Sequence, residues 1–157
     1  MRLARIISGA QTGVDLAALD AALAAGFSCG GWVPRGRRNE AGPIDPRYPV
    51  KEAESRKLAQ RTEWNVRDSD ATLILSRGPL SGGSALTEKL AQRYAKPCLH
   101  IDLAALSLED AVDRVLRWLD ATDGAVLNVA GPRRSNDAEI YALAYRVIEA
   151  LLVRGGG

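Results

Sequence analysis

The sequence predicts an α/β protein, a three-layer sandwich with a five-stranded parallel sheet covered by helices on both faces. Short apolar runs of strand type alternate with helical patterns along most of the chain. Two glycine-rich turns, Ser8-Gly9-Ala10-Gln11-Thr12-Gly13 and Gly82-Gly83-Ser84, each follow a strand-like run and open a helix. The 157 residues, 46% hydrophobic and 25% charged, suit one globular domain with a substantial core. That domain is expected to span residues 1–154, with 155–157 a frayed tail.

Residues 3–7 read as the first strand. Residues 14–25 form an alanine-rich helix able to pack close to a sheet, ended by Gly26. Residues 28–33 give a short second strand. Four of the seven prolines, with Gly36 and Gly42, then make residues 34–50 irregular. Residues 52–65 have helical composition, and 71–75 are a third strand of continuous apolar type. A helix over 84–95 carries Leu86, Leu90 and Tyr94 on one face, and Pro97 precedes a fourth strand at 98–101. Ser107 and Asp110 resemble a capping box, followed by a stripe of Leu108, Val112, Val115, Leu116 and Leu119. Gly124 leads into a fifth strand at 125–129. The last helix shows Ile140, Leu143, Val147, Ile148, Leu151 and Leu152 at helical spacing, with Asn136 as its expected N-cap.

A net charge of +2 is too small to imply nucleic acid as the main partner. No apolar run approaches the ~20 residues of a membrane span, and the N-terminus carries no apolar signal region, so a cytoplasmic protein is expected. Cys29 and Cys98 read as reduced, buried thiols, and a single histidine without any C-x-x-C argues against structural zinc.

In open parallel sheets, ligands bind beyond the carboxyl ends of the strands. Ser8, Gly9, Gln11, Thr12 and Gly13 follow the first strand, and Arg35 and Arg37 the second. Arg77, Gly78, Gly82, Gly83, Ser84 and Thr87 follow the third, and Arg133 and Ser135 the fifth. These are the candidate ligand-binding residues. Unpaired N–H groups at a helix N-terminus attract oxyanions, glycines let the backbone approach, and arginine forks grip phosphate. Ser84 is placed as the cap of its helix. Arg35, Arg77 and Arg133 are expected to converge on one anion. For the two glycine turns to share a ligand the third strand should lie beside the first, which gives strand order 2-1-3-4-5. The turns match neither a dinucleotide fingerprint nor a P-loop. Asp15 and Glu88 read as partners of helix starts, His100 as a core residue, and no nucleophile–base–orienter set stands out.

Five segments, in order and spanning nearly the whole chain, resemble the molybdenum carrier protein family. They are residues 8–15, 30–38, 61–70, 78–87 and 127–133. That family belongs to the Rossmann-like, lysine-decarboxylase-like group, which also includes phosphoribohydrolases. The resemblance implies a Rossmann-like domain, a homo-oligomer (dimer or tetramer), and molybdenum cofactor as bound cargo, a pterin with a terminal phosphate and a dithiolene-held molybdenum. Gly9, Gln11, Thr12 and Gly13 match the family's first binding loop, and Gly82, Gly83, Ser84 and Thr87 its second. Ala10 stands where the family commonly has glycine, Val33 where it often has cysteine, and Leu16 where arginine is common.

The resulting expectation is a carrier of molybdenum cofactor or a related phosphorylated ligand rather than an enzyme. Two rivals stand beside it: a nucleotide phosphoribohydrolase and a nucleotide-sensing module. The hydrolases carry P-G-G-x-G-T-x-x-E. Here Thr87 falls one residue later, the second glycine is absent, and the glutamate register is lost.

Overall fold

The computed structural model describes residues 1–155. β1 (Arg5–Ile7) leads through the first glycine turn into α1 (Val14–Ala24). The predicted second strand is split into β2 (Cys29–Gly30) and β3 (Trp32–Val33). Gly31 breaks it at φ +132°, where a Cβ would lie 2.0 Å from the Ser8 carbonyl oxygen. β2 stays beside β1, while β3 leaves the main sheet to pair with β6 (Lys51–Glu52). Between them, β4 (Arg38–Asn39) and β5 (Gly42–Pro43) form a small antiparallel hairpin. The chain continues with α2 (Leu58–Arg67), β7 (Ala71–Ser76) and α3 (Gly82–Arg93). It ends with β8 (Cys98–Asp102), α4 (Leu108–Asp120), β9 (Val126–Ala130) and α5 (Ile140–Gly155). The expected tail therefore lies partly within α5 and otherwise outside the described residues.

The central sheet is five-stranded and wholly parallel, as expected, in order β2-β1-β9-β7-β8. In the numbering of the predicted strands this is 2-1-5-3-4, which corrects 2-1-3-4-5. The fifth strand is an interior strand. Burial explains the placement: Leu127, Asn128 and Val129 of β9 are all buried, whereas only Ile101 of β8 is. A strand with two apolar faces and a buried asparagine belongs between neighbours, and Asn128 Nδ2 donates to Thr72 Oγ1 across the sheet at 3.3 Å. The polar His100 and Asp102 suit an edge.

Small residues let α1 and α5 close over this interior strand. Ala17, Ala18 and Ala21 pack in one core cluster with Ala144, Val147, Ile148 and Leu151, and α4 completes that layer through Val112, Val115 and Leu119. Tyr141 Oη of α5 donates to Asp20 of α1 at 2.5 Å. Across the sheet, Val66 of α2 packs with Leu90 and Ala91 of α3. Among the described residues, no helix is long and apolar enough to cross a membrane.

Local signals fared unevenly. Ser107 caps α4 as expected, its Oγ accepting from Asp110 N at 3.1 Å. Asn136 does not cap α5, which starts at Ile140; it sits in a turn that precedes the helix. Arg37 is turned into its own loop. Its guanidinium donates to the carbonyls of Ile44, Asp45, Tyr48 and Val50, at 3.3, 2.9, 2.8 and 3.1 Å, and so organises residues 34–50.

Candidate functional site

The carboxyl ends of β1, β9 and β7 open on one cleft of about 660 Å³. Both glycine turns reach it although β9 separates their strands. The first contributes Gln11, the second Gly82, Gly83, Ser84 and Thr87, and the segment after β9 contributes Arg133. Arg77 and Gly78 form part of the wall between them.

The start of α3 is the barest part of this wall. A Cβ on Gly82 or Gly83 would meet no atom within 4 Å. The N-cap is Ser81, not Ser84, and its side chain makes no capping bond. The first-turn N–H groups of α3 thus receive no side-chain cap, where the helix dipole adds positive character. Thr87 Oγ1 donates back to the Gly83 carbonyl at 2.8 Å, which fixes the helix's first turn.

The cleft wall also holds a residue the sequence reading passed over. Arg61 projects from α2 into the cleft wall with its side chain 13% exposed. Its Nη1 approaches Asp15 Oδ2 at 3.5 Å, and its Nε is buried without a partner. Gln11 Nε2, also on the cleft, is the second buried donor without a partner. Gly9 explains itself here: a Cβ would sit 1.8 Å from Arg61 Nη1, so glycine is what admits the guanidinium.

Asp15 also accepts from Gln11 N at 3.3 Å. Burial pushes its carboxyl from the ordinary 3.8 up to about 6, against the pull of Arg61. Burial likewise disfavours the charged form of Arg61, Asp15 favours it, and the positive charge of Arg133 disfavours it again. Three guanidinium groups, of Arg61, Arg77 and Arg133, therefore share the cleft with two carboxyls, of Asp15 and Asp137, and with the unpartnered Gln11 Nε2.

Other predicted residues lie beside the cleft rather than on it. Ser8 is buried, its Oγ donating to the Asp15 carbonyl at 2.9 Å. Gly13, at φ +82°, lets the backbone pass the Pro132 carbonyl, which a Cβ would meet at 2.3 Å. Thr12 and Ser135 both donate to Glu40. Arg35 is exposed and does not line the cleft, so the three arginines do not converge. Arg77 does line it, but Asp137 takes its Nε and Nη2 at 2.8 and 2.7 Å and Glu139 takes Nη1 at 2.9 Å. That saturation leaves Arg133 and Arg61 as the cleft's less committed cations.

Glu88 does not line the cleft. His100 is satisfied by Ser76 Oγ at 2.6 Å, and the same hydroxyl lies 2.9 Å from the Gly78 carbonyl, which accepts from it. Asp102 Oδ1 accepts from Gly78 N at 2.8 Å, so β8 braces the turn after β7. Among the described residues, no three His, Cys, Asp or Glu side chains group as a metal site.

A parallel sheet with a cleft beyond its carboxyl ends, entered by a glycine-opened helix, defines a Rossmann-like α/β protein. The chain belongs to the circularly permutated YpsA SLOG family, whose sequence model matches residues 6–152. It is also similar to a crystal structure of a protein from Syntrophus aciditrophicus SB named "Putative molybdenum carrier protein". The two share 48% identity over 96% of each chain, with a TM-score of 0.94. The resemblance read from the sequence is borne out by that neighbour. No curated protein matches.

Proposed function

We propose that this chain binds and carries an anionic small molecule, with molybdenum cofactor or a related phosphorylated ligand as cargo. The observation that carries the reading is the pair of buried, unpartnered donors on the cleft, Gln11 Nε2 and Arg61 Nε. A buried donor left unmade costs about 1–3 kcal/mol, so two of them on one cleft wall are groups that a ligand acceptor would complete. Phosphate and molybdate oxygens are acceptors without donors, which suits a wall of N–H groups. The neighbour's name supports molybdenum as the context. The proposal includes a homo-oligomer, which rests on the family resemblance, and a cytoplasmic location, which rests on the sequence's lack of an apolar signal region.

A carrier rather than a hydrolase is favoured by the carboxylates. Glu88 is away from the cleft, and Asp15 is engaged with Arg61 and Gln11. The test is calorimetry with molybdenum cofactor, molybdate and nucleoside monophosphates, run beside an assay of free-base release. Binding without release is expected. Arg61→Gln should weaken binding roughly ten- to a hundredfold, the value of one charged hydrogen-bond partner. Robust release that vanishes in Asp15→Asn would replace this reading with the phosphoribohydrolase.

A further inference from the structure

The donors predicted for a ligand after β1 and β9 are not idle: they hold a carboxylate of the protein itself. Glu40 sits at the turn of the β4–β5 hairpin. Its Oε1 accepts from Thr12 Oγ1 and from Ser135 N, the latter at 3.1 Å. Its Oε2 accepts from Ser135 Oγ at 2.5 Å and lies 3.9 Å from Arg133 Nη1. Thr12 Oγ1 is oriented for this by Arg134 N, which donates to it at 3.0 Å. One exposed hairpin residue thus collects a backbone amide, two hydroxyls and a nearby guanidinium.

We propose that Thr12, Ser135 and Arg133 form an outer anion subsite, which the Glu40 carboxylate fills in place of an anionic group of the ligand. The assignment rests on the cleft reading above and adds a ligand class: a small molecule with two anionic groups, one for each subsite. Three features support it. Arg133 lines the main cleft and also faces Glu40, so the inner and outer donors are contiguous. A carboxylate and a phosphate present the same acceptor chemistry to these donors. The hairpin that carries Glu40 pairs only with itself, outside the central sheet. Its further ties are Asn39 Nδ2 to the Ala10 carbonyl at 2.9 Å and the Arg37 fan, and neither needs Glu40. Hydrogen bonds from Ser135 and Thr12, more than Arg133, hold the Glu40 carboxyl down at about 2, so it stays an anion at any physiological pH.

An internal competitor weakens the apparent affinity by the fraction of time it occupies the subsite. A carboxylate in place nine-tenths of the time costs about tenfold. Glu40→Ala should therefore bind pyrophosphate about tenfold more tightly than the parent protein, measured by calorimetry. Ser135→Ala in the Glu40→Ala background should remove most of that gain. Arg61→Gln, which strikes only the inner donors, should weaken orthophosphate and pyrophosphate with Glu40 present or absent. Should Glu40→Ala lose its folded melting transition, Glu40→Gln takes its place, with a smaller gain in the same direction. Equal or weaker pyrophosphate binding without Glu40, or a gain untouched by Ser135→Ala, overturns the outer subsite while leaving the inner one to the Arg61 result. Failure of parent and variant to bind either probe overturns both readings.

Discussion

Asp15 is ionised at neutral pH at a place where burial opposes it, and that conflict is measurable. The folded protein keeps its proton up to about pH 6, whereas the unfolded chain releases it near 3.8. The folded state binds more protons between these values, so this group's contribution to stability falls as pH rises from about 4 to about 6. The shift corresponds to a loss on the order of 3 kcal/mol, against the ordinary 3.8. Chemical denaturation of the parent and Asp15→Asn across pH 4 to 7 isolates it. The parent's stability relative to the variant should decline by about that amount, and a pH-independent difference would show that Asp15 is not desolvated. Gly9→Ala tests the same pocket from the other side, because its methyl would displace the Arg61 guanidinium. Anion binding should fall about as far as in Arg61→Gln, read by calorimetry. At this scale the sequence displayed Asp15, Gly9 and Gln11 but not Arg61. A buried arginine in a helix of ordinary composition has no local signature; its role is written in the missing side chain of Gly9, a third of the chain away.

The bare start of α3 is the element most dedicated to the cleft. Gly83 has open space at its Cβ position and a φ outside the left-handed region, so a side chain there strains nothing. Gly83→Asp should abolish anion binding by placing a negative charge against the helix N-terminus, while the melting temperature stays within a few degrees of the parent's. Unchanged affinity with a normal circular dichroism spectrum would remove this turn from the site. The strand–turn–helix pattern made α3 readable, since hydrophobic period and glycines agree there. The hairpin of β4 and β5 was not readable, because two residues per strand carry no period. Nor was the break at Gly31, where a Cβ would collide with the Ser8 backbone. Four glycine- and arginine-bearing loops were recognisable as a set, yet Arg37 turned inward to fasten its own loop and Arg77 was claimed by Asp137 and Glu139.

For the whole molecule, the informative fact is that β9 joins β1 to β7. Alternation of apolar runs predicted a parallel sheet but said nothing decisive about order, which became legible only in the burial of every residue from Leu127 to Val129. Removing residues 124–157 should leave no bridge between the β1–β2 pair and the β7–β8 pair. That fragment is expected to lack a cooperative melting transition, and sharp two-state melting would contradict the bridging role. The same connectivity sets a timetable for synthesis. The ribosome delivers both halves of the sheet before the strand that unites them, so the nascent chain displays two unpaired strand edges until β9 emerges. Long-range closure of this kind slows folding and exposes edges to other chains. The cleft, framed by the ends of β1, β9 and β7, is therefore absent during most of translation, and under the proposed function loading must await completion of the sheet.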